Sequence, residues 1–489
     1  MYHYPREGKV RAAVCYPNSY RAGMSNLGFH RLLHLVASYP GIRAARFFYE
    51  SGRAWSPDST SPLAGMDLLL FSVSFELDYL NLIGMLRQGG LPPLREERSG
   101  GPCRPVVAGG ITVTANPQFL SPFADIICRG DMEVSLPPLL DLLAAAPFTG
   151  RGELLGKASD LPGVYVPENG GTGQRHGDVQ PVYVPAPAHL AEISDPAHSV
   201  AITTRSEFAR MFLVEVTRGC RSSCLFCMTR CANPFRSVPE ERVVELAGRA
   251  RGAAGKVGLI APVVTDHPRV DSLVASVNRL GMKVSFSSLR ADHFTPGIAR
   301  LVRANGQRTV TFAPETGSVE LRRSLGKPLA DESLLAAVSL AGEHGVRRLR
   351  WYFMYGLPGE REGDLEAVGR LAREAVALLQ AGGELVLSVN PFVPKKMTPL
   401  EDFPLHPPEY YRAARERLGR MLGDIPGVRA RFESLRTLEL HYHLSQGDGE
   451  TGRLLFQCLR EGRMREFVKA AGSLHRERRE PGGDEQRGT

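Results

Sequence analysis

The sequence predicts an α/β protein made of two successive β/α regions, and two observations carry that prediction. Short apolar runs alternate with amphipathic, helix-like segments from about residue 8 to 150 and again from about residue 206 to 405. Residues 151–205, which are rich in proline and glycine, separate the two regions and are expected to be a linker. With 489 residues the chain is too long for one ordinary core, so two or three domains are expected.

The first region, residues 1–150, is expected to form a doubly wound, flavodoxin- or Rossmann-like parallel sheet. Its candidate strands are 10–15, 44–49, 67–73, 105–108 and 125–128, and its helix-like segments are 27–37, 79–88 and 134–145. Such sheets bind ligands at the carboxyl ends of their strands. Two loops are expected there: residues 16–26, which include Asn18, and the pair Gly109 and Gly110. Glycine would let the backbone approach a bulky ligand closely.

Six apolar runs of the second region, residues 206–405, predict six β/α units. They are 212–216, 257–261, 284–286, 309–312, 349–354 and 385–389, separated by helical segments such as 239–251 and 331–343. Residues 406–472 are expected to be helices that close this part of the fold, and residues 473–489 a disordered tail. Within the linker, 164–166 and 182–184 are expected to pair as a short hairpin.

Composition restricts the class and the location of the protein. With 43% hydrophobic and 23% charged residues, the sequence is typical of a globular protein. No stretch reaches the roughly 20 apolar residues of a membrane helix, and the first residues lack a signal-peptide core, so a cytoplasmic protein without a membrane partner is expected. The net charge of +8 is mild. Solvated arginine-rich faces explain it as well as an anionic partner does, and it does not exclude a nucleic acid.

Three of the eight cysteines, Cys220, Cys224 and Cys227, follow the first apolar run of the second region at Cx3Cx2C spacing. A structural zinc site usually takes four ligands, often as two Cys-x2-Cys pairs, whereas three closely spaced cysteines can hold three irons of a four-iron, four-sulfur cluster. The fourth iron then stays open to a substrate or cosubstrate. The other cysteines are scattered without a disulfide pattern, which is typical of a reducing compartment.

This motif, with Phe226 directly before the third cysteine, resembles the signature of radical S-adenosylmethionine (SAM) enzymes. The resemblance implies a partial (β/α)6 barrel over residues 206–405, with functional residues at the carboxyl ends of its strands. It also implies that SAM chelates the open iron through its amino and carboxylate groups. A flavodoxin- or ferredoxin-type reductant then supplies the electron that cleaves SAM to methionine and a 5′-deoxyadenosyl radical. A zinc site or a disulfide cluster is the alternative interpretation.

Residues after the later strands fit SAM under the same resemblance. Arg290 could hold the SAM carboxylate in fork geometry, or form an ordinary salt bridge. Glu315 is expected to accept hydrogen bonds from the SAM ammonium or ribose, and Ser318 belongs to the same turn. Gly356 and Pro358, in the run Gly-Leu-Pro-Gly-Glu, resemble the family's adenine-side motif. Such turns also occur as plain strand-to-helix connections.

Other positions have both a functional and a structural interpretation. Asp266 or His267 could move a proton near a substrate, and Asp266 could equally cap a helix. The turn 325–328 and the loop of Lys395 resemble segments of the methylthiotransferase-like branch of the family. Lys395 could face a substrate, or simply be an exposed lysine. Cys231 could handle a substrate, but nothing in the sequence supplies a partner base for it.

The first region resembles the N-terminal cobalamin-binding-like domain of one radical SAM subgroup. The matching motifs are Gly109-Gly110, Asn116-Pro117 and Cys128-Arg129-Gly130-Asp131-Met132-Glu133. The subgroup implies a bound cobalamin near Asn18, Gly109 and Gly110. No Asp-x-His-x-x-Gly motif occurs, so no histidine is assigned as the lower cobalt ligand. The domain could equally be an empty scaffold that contacts the substrate.

The sequence therefore predicts a radical SAM enzyme that acts as a cobalamin-dependent methyltransferase or modifies an unreactive carbon in another way. One alternative is methylthio transfer to tRNA or protein, which needs a second cluster. Cys15, Cys103 and Cys128 are the candidate ligands for it, and their spacing is unlike that of methylthiotransferases. The other alternative is a non-enzymatic sensor or electron carrier that binds a cluster or a corrinoid. The sequence does not identify the substrate.

Overall fold

Strands and helices alternate through two separate units of the chain. A computed structural model describes residues 8–100, 104–144, 150–167, 184, 186–379 and 382–479. The N-terminal unit combines His3–Leu190 with Glu439–Thr489, and the central unit is Ala191–Leu438. The end of the chain therefore belongs with its beginning rather than with the segment that precedes it.

A mixed sheet of seven strands forms the N-terminal unit in the described residues, in the order β3-β2-β1-β4-β5-β6-β7. The strands are β1 (Val10–Tyr16), β2 (Ile42–Glu50), β3 (Arg53–Trp55), β4 (Leu68–Ser72), β5 (Val106–Gly109), β6 (Ile126–Cys128) and β7 (Val164–Tyr165). The five central strands, β2, β1, β4, β5 and β6, are parallel, and the edge strands β3 and β7 are antiparallel to their neighbours. This topology confirms the predicted doubly wound sheet.

Among the described residues, six helices lie between the strands of this sheet along the chain. They are α1 (Tyr20–Gly23), α2 (Leu27–Ala37), α3 (Asp78–Gln88), α4 (Ile111–Ala115), α5 (Met132–Ala144) and α6 (Arg151–Ser159). Asn26 begins α2, because its side-chain oxygen accepts a hydrogen bond from the backbone N–H of Phe29 at 2.9 Å. The strand order reverses between β1 and β4. The carboxyl ends of these two strands therefore border the switch point, where sheets of this kind bind ligands.

The linker differs from its prediction. Residues 151–159 form α6, and Val164–Tyr165 pairs with β6 in antiparallel orientation, so this part of the linker belongs to the sheet. The expected partner residues 182 and 183 lie outside the described residues. A run of two apolar residues is too short for the sequence to indicate which strand it will pair with.

Parallel strands also form the framework of the central unit. The strands are β8 (Met211–Glu215), β9 (Thr217–Arg218), β10 (Arg236–Ser237), β11 (Lys256–Ile260), β12 (Lys283–Phe286), β13 (Thr309–Glu315), β14 (Arg348–Tyr355), β15 (Glu384–Pro391) and β16 (Val428–Phe432). They pair as β12-β11-β8 and β13-β14-β15-β16, and β9 pairs with β10. All six predicted strands are present. A further parallel strand, β16, lies beyond the predicted end at residue 405.

The helices of the central unit follow its strands. They are α7 (Met228–Ala232), α8 (Glu240–Ala250), α9 (Val270–Arg279), α10 (Pro296–Ala304), α11 (Val319–Ser324), α12 (Asp331–Glu343), α13 (Glu362–Leu378) and α14 (Pro408–Gly423). The side chain of Gln307 joins the two sheets. Its Oε1 accepts from the backbone N–H of Phe286 at 2.9 Å, and its Nε2 donates to the carbonyl of Thr309 at the same distance.

The last three helices are α15 (Leu438–Gln446), α16 (Gly449–Glu461) and α17 (Met464–Arg479). The expectation that they close the barrel is wrong: Leu455, Phe456 and Phe467 are buried in the core of the N-terminal unit, and the Phe456 ring lies 6.4 Å from that of Phe123. Residues 473–479, expected to be disordered, continue α17. An amphipathic pattern reveals an apolar face but not the surface that covers it.

Among the helices of the described residues, none combines the length and the apolar character needed to cross a membrane.

Candidate functional site

The cysteine motif lies in the loop after β8, at the carboxyl end of that strand. Gly219 turns the chain there with a φ of 73°, and a Cβ atom would lie 2.3 Å from the carbonyl oxygen of Pro234. Only glycine fits this position. Before the turn, the Arg218 Nε lies 2.8 Å from Glu215 Oε1 and fixes the start of the loop. We call residues 219–227 the cysteine loop.

A second turn, residues 325–328, holds the cysteine loop. The backbone N–H of Leu225 donates to the carbonyl of Leu325 at 3.0 Å, and the Ser223 hydroxyl donates to the carbonyl of Gly326 at 2.8 Å. Gly326 has a φ of 73°, and a Cβ atom would approach the Ser223 carbonyl oxygen to 2.2 Å. The turn singled out in the sequence therefore supports the cysteines directly.

The three cysteines of the loop are free thiols, and Cys224 is buried. Burial raises the pKa of Cys224 to about 11; the Lys327 charge opposes this rise, and Cys227, Glu315 and Cys220 add to it. Burial also raises the pKa of Cys227. The thiols thus lie close enough to act on one another, and metal binding must displace their protons.

Three cysteines within eight residues form a donor set that suits a four-iron cluster. Within the described residues, no three His, Cys, Asp or Glu side chains are grouped as ligands of one metal ion. A four-iron cluster does not require such a group, because each cysteine ligates a different iron. The Cys220 Sγ also accepts from the backbone N–H of Ser222 at 3.4 Å, a bond of the kind that tunes cluster sulfurs.

Phe226 joins the cysteine loop to the rest of the site through apolar contacts. It packs against a buried cluster that contains Leu325, Leu357 and Phe392. These residues come from the turn after α11, the turn after β14 and the end of β15. The carboxyl ends of β14 and β15 and the turn 325–328 therefore meet around the aromatic residue of the motif.

Glu315 ends β13 at a β-bulge, with an unusual φ of 72° for a residue that has a Cβ. Its Oε1 lies 2.7 Å from the Nζ of Lys327, and both side chains are mostly buried. The residue expected to bind SAM is therefore already paired with the lysine of the supporting turn. A hydrogen-bond donor of SAM would have to share the Glu315 carboxylate with Lys327 or displace Lys327 from it.

Arg290 contacts the cysteine loop from the end of β12. Its Nη1 donates to the Ser222 hydroxyl at 2.6 Å, and its Nε donates to Asp292 Oδ1 at 2.9 Å. The salt bridge considered as the alternative for Arg290 is present. Binding of the SAM carboxylate by Arg290 stays a prediction.

The structure gives Ser318 and Gly356 structural roles, and Pro358 lies in the same turn as Gly356. The Ser318 hydroxyl accepts from the Leu321 N–H at 3.1 Å, which caps α11, and it bonds Asp364. Gly356 has a φ of 77°, and a Cβ atom would lie 2.4 Å from the Tyr411 ring. Pro358 lies in the same partly buried turn. Contacts of these residues with SAM stay predictions.

Glu360, at the end of that turn, was not singled out by the sequence. It accepts from the Gly356 N–H at 2.6 Å and from the Tyr410 hydroxyl at 2.5 Å through Oε2. Its Oε1 is buried without a hydrogen-bond partner among the described residues. Burial raises the pKa of Glu360 to about 7. The glutamate that ends the Gly-Leu-Pro-Gly-Glu run is the feature of the sequence that could have identified this residue.

The remaining candidates of this unit are held by nearby groups. His267 is buried; its Nε2 lies 2.9 Å from the Val238 carbonyl, and burial lowers its pKa. His293 Nδ1 lies 3.6 Å from Asp266 Oδ1, and no side-chain cap from Asp266 occurs in the described helix after it. Cys231 Sγ lies 3.9 Å from Arg230 Nη1. The Lys395 carbonyl accepts from the Thr398 hydroxyl at 2.7 Å.

Asn18, which follows β1, and Asp78, which follows β4, lie next to each other at the carboxyl edge of the N-terminal sheet. Asn18 Nδ2 donates to Asp78 Oδ1 at 2.8 Å across the switch point. Burial raises the pKa of Asp78 to about 6. Nearby, Glu76 Oε2 lies 3.2 Å from Nε2 of His441, whose ring stacks on the exposed ring of Phe75. The sequence did not predict this group, because His441 reaches the sheet only through α15.

The glycine pair after β5 has a structural explanation of its own. Gly110 has a φ of 128°, and a Cβ atom would lie 2.0 Å from the Val73 carbonyl oxygen. Gly109 pairs with Ser72 and Cys128 in the sheet. The close approach that requires glycine at position 110 is therefore to the neighbouring backbone. A ligand contact at either glycine stays a prediction.

The proposed ligands of a second cluster are dispersed. Cys15 is fully buried within β1, and burial raises its pKa well above the usual value. Cys128 ends β6, and its burial raises the pKa to about 11. Cys103 lies outside the described residues. A cluster on Cys15 would have to open the core of the sheet.

Two protein-family models match the chain. The model described as radical SAM proteins, N-terminal, matches residues 28–167, and the model of the radical SAM superfamily matches residues 214–372. The second match contains the cysteine loop and the ends of the strands that surround it.

Two curated relatives are similar in sequence. An uncharacterized protein of Methanocaldococcus jannaschii is 26% identical over 448 residues, which are 91% of this chain and 90% of that protein. An uncharacterized methyltransferase of Pyrococcus horikoshii is 25% identical over 280 residues, 55% of this chain and 58% of that protein.

Two solved structures share the fold. The radical SAM methyltransferase TsrM from Kitasatospora setae, solved with cobalamin and a 4Fe-4S cluster, matches with a TM-score of 0.58 at 13% identity, over 96% of this chain and 100% of that chain. The cobalamin-dependent SAM radical enzyme OxsB, solved with aqua-cobalamin, matches with a TM-score of 0.51 at 14% identity, over 74% of this chain and 52% of that chain.

Proposed function

Since this chain belongs to the radical SAM superfamily, we propose that it cleaves SAM reductively at a four-iron cluster on Cys220, Cys224 and Cys227, and that it is a cobalamin-dependent methyltransferase. One observation carries the proposal: three free thiols occupy a single loop that the turn 325–328 fixes at the carboxyl end of β8. A cytoplasmic location, which keeps these thiols reduced, is part of the same proposal.

A cluster bound to these cysteines supplies, after one-electron reduction, the electron that breaks a carbon–sulfur bond of SAM. The protein fixes the geometry. Arg290 holds Ser222, and Phe226 anchors the loop in the apolar cluster, so the thiols keep their relative positions. Burial of Cys224 limits the access of water.

The pair formed by Glu315 and Lys327 can bind the two charged groups of the SAM methionine portion. Glu315 offers an acceptor for the ammonium, and Lys327 offers a donor for the carboxylate. Arg290 is a second donor for the carboxylate. Gly356 and Pro358 would lie beside the adenine, and Ser318 would fix the helix that begins next to Glu315. The 2.7 Å ion pair keeps both charges satisfied until SAM arrives.

The N-terminal unit has features that suit cobalamin, a flat apolar macrocycle edged with amide donors. Phe75 presents an exposed apolar ring at the carboxyl end of β4. Glu76 and Asp78 are acceptors beside it, and Asn18 orients Asp78. These residues, with Gly109 and Gly110, border the switch point at which such a sheet takes its ligand.

The experiment is anaerobic reconstitution of the full chain, with cobalamin supplied during production, followed by counts of iron, sulfide and corrinoid per chain. SAM and dithionite are then added, and 5′-deoxyadenosine is measured. The proposal requires one four-iron cluster, bound corrinoid and 5′-deoxyadenosine formation.

Cys224→Ala should lose the cluster, while Cys231→Ser, a change four residues beyond the motif, should keep it. About twice the iron without corrinoid would favour methylthio transfer instead. A cluster that binds SAM without cleaving it would favour a sensor.

A further inference from the structure

The parallel sheet formed by β13, β14, β15 and β16 has two unlike faces. One face is apolar and buried, and on β14 it carries Leu349, Trp351, Phe353 and Tyr355. Helix α14 covers this face, since the ring of Tyr411 lies 6.0 Å from that of Tyr355. Parallel sheets are usually covered on both faces, but exposed side chains occupy the second face of this one. The second face is therefore available to a ligand.

The strand register places a group of polar residues together on the second face. Paired residues of parallel strands have their side chains on the same side of the sheet, and so do residues two positions apart. Tyr352 pairs with Ser388, and Ser388 pairs with Arg431. Arg350 and Asn390 lie two positions from Tyr352 and Ser388. We call Arg350, Tyr352, Ser388, Asn390 and Arg431 the open face.

Arginine dominates the charge on this side of the sheet. Strands β14, β15 and β16 contain four arginines and a single carboxylate, Glu384. Two of the arginines share it: Arg348 Nε lies 2.6 Å from Glu384 Oε2, and Arg429 Nε lies 2.8 Å from Glu384 Oε1. Arg350 and Arg431 are exposed, and neither makes an ion pair within the described ranges. Their positive charges are therefore uncompensated.

The two uncompensated arginines are close enough to bind one group. Arg431 lies two strands across from Tyr352, and Arg350 lies two residues before Tyr352 along β14. Strand spacings of about 4.8 Å and a rise of about 3.3 Å per residue put the two arginine Cα atoms about 12 Å apart. Two long arginine side chains can converge on one anion over that distance.

The open face leads to the cysteine loop. Met354 follows Tyr352 by two positions and packs against the apolar cluster that also holds Phe226. At about 3.3 Å per residue, Arg350 lies about 13 Å from Met354 along β14. A molecule of about that length, held at Arg350, therefore has its other end beside Phe226.

We propose that the open face binds the substrate of the proposed reaction, and that this substrate carries a carboxylate or phosphate group. Arg350 and Arg431 hold the anion, because guanidinium groups form charge-assisted hydrogen bonds with either group. The ring of Tyr352, which is 42% exposed, packs on the adjoining apolar part of the molecule. The inference rests on the proposed function and names the chemical class of its substrate.

A small anion suits the open face better than a nucleic acid does. A nucleic acid is bound by a basic stripe that contacts several successive phosphates. Here Glu384 already neutralises part of the positive charge, and the two uncompensated arginines suffice for one anionic group.

Equilibrium binding of small probes tests the inference without reductant or SAM cleavage. The probes are phenyl phosphate and phenylacetate, with benzyl alcohol as the uncharged comparison. Saturation-transfer NMR on the reconstituted full chain gives a dissociation constant for each probe. The wild type is compared with a variant that carries Arg350→Gln and Arg431→Gln. The control carries Arg300→Gln and Arg303→Gln, and so loses the same charge from exposed arginines of α10.

We expect at least one of the two anions to bind the wild type and the control equally well, and more tightly than benzyl alcohol. The open-face variant should bind that anion about tenfold more weakly, because it loses hydrogen bonds to a charged group. Its affinity for benzyl alcohol should not change. Tighter binding of phenyl phosphate than of phenylacetate assigns a phosphate to the substrate, and the reverse order assigns a carboxylate.

Equal dissociation constants of the anions in the open-face variant and the control would overturn the inference. So would the absence of saturable binding of both anions to the wild type. A short single-stranded RNA that binds through Arg350 and Arg431, when neither small anion does, would also overturn it and assign the face to a nucleic acid. Anion binding at these arginines in a protein that forms no 5′-deoxyadenosine would contradict the proposed function alone.

Discussion

Lys327 Nζ lies 2.7 Å from Glu315 Oε1, and the charges of both residues act on the thiol of Cys224. The lysine favours the thiolate of Cys224, and the glutamate opposes it. One ion pair therefore links the end of β13, the turn 325–328 and the cysteine loop. This link gives the turn a chemical role in addition to its backbone contacts.

Replacing Lys327 with methionine should make the cluster harder to assemble. The pKa of Cys224 should rise further, because the charge that lowers it is lost, and Glu315 should be left mostly buried without its partner. We expect iron loading to shift to higher pH and the protein to lose about 1–2 kcal/mol of stability. Iron content after reconstitution over a range of pH values measures the first effect, and denaturant unfolding the second. Lys283→Met, an exposed change at the start of β12, is the control; equal loading curves would contradict the prediction.

Gly326→Ala should displace the cysteine loop. Its Cβ would lie 2.2 Å from the Ser223 carbonyl oxygen, whereas the Cβ of Gly345→Ala would meet nothing within 4 Å at a similar φ of 80°. Both variants carry the strain of a left-handed backbone, about 1 kcal/mol. Only Gly326→Ala should also lose most of its iron. If the two variants hold equal iron after reconstitution, the contact between turn and loop does not support the cluster.

Glu360 should make the stability of the central unit depend on pH. Burial raises the pKa of its carboxyl from 4.5 to about 7, so the folded state holds the proton more tightly than the unfolded state. Its contribution is therefore fully present below pH 4.5 and is lost as the pH rises towards 7, by on the order of 3 kcal/mol. Glu360→Gln keeps acceptors for Gly356 and Tyr410 but does not titrate. Denaturant unfolding from pH 5 to 8 should give a flatter curve for this variant, and parallel curves would refute the assignment.

Phe456→Ala should destabilise the N-terminal unit although the residue lies near the end of the chain. The ring is 8% exposed and packs in the core beside Phe123, so its removal should cost about 3–5 kcal/mol. Hydrogen exchange should accelerate in β5 and β6 while β14 is unaffected. Phe208→Ala, at a ring that is 39% exposed, should change stability by less than about 0.5 kcal/mol. Faster exchange confined to β14 would show that the C-terminal helices belong elsewhere.

Local patterns in the sequence were sufficient to predict much of this fold. Residues 12–15 of β1 and 68–71 of β4 are continuous buried apolar runs, and the cysteine spacing lies within eight residues, so neither pattern depends on distant contacts. Strand β16 was missed because Arg429 and Arg431 alternate with its partly buried residues and interrupt the apolar run.

Contacts between distant segments could not be predicted. The pairing of Glu315 with Lys327 depends on how α11 returns the chain to the end of β13. The contact between Glu76 and His441 joins residues 365 positions apart. The sequence identified the turn of Lys327 as important, but it gave no indication that His441 would join the N-terminal sheet.

The most direct test of a cluster on Cys220, Cys224 and Cys227 is electron paramagnetic resonance of the reduced protein before and after addition of SAM. An open iron predicts a four-iron signal that changes shape when SAM binds, and the Cys224→Ala variant should lack that signal. A signal that SAM leaves unchanged, or one that survives in Cys224→Ala, would contradict the account.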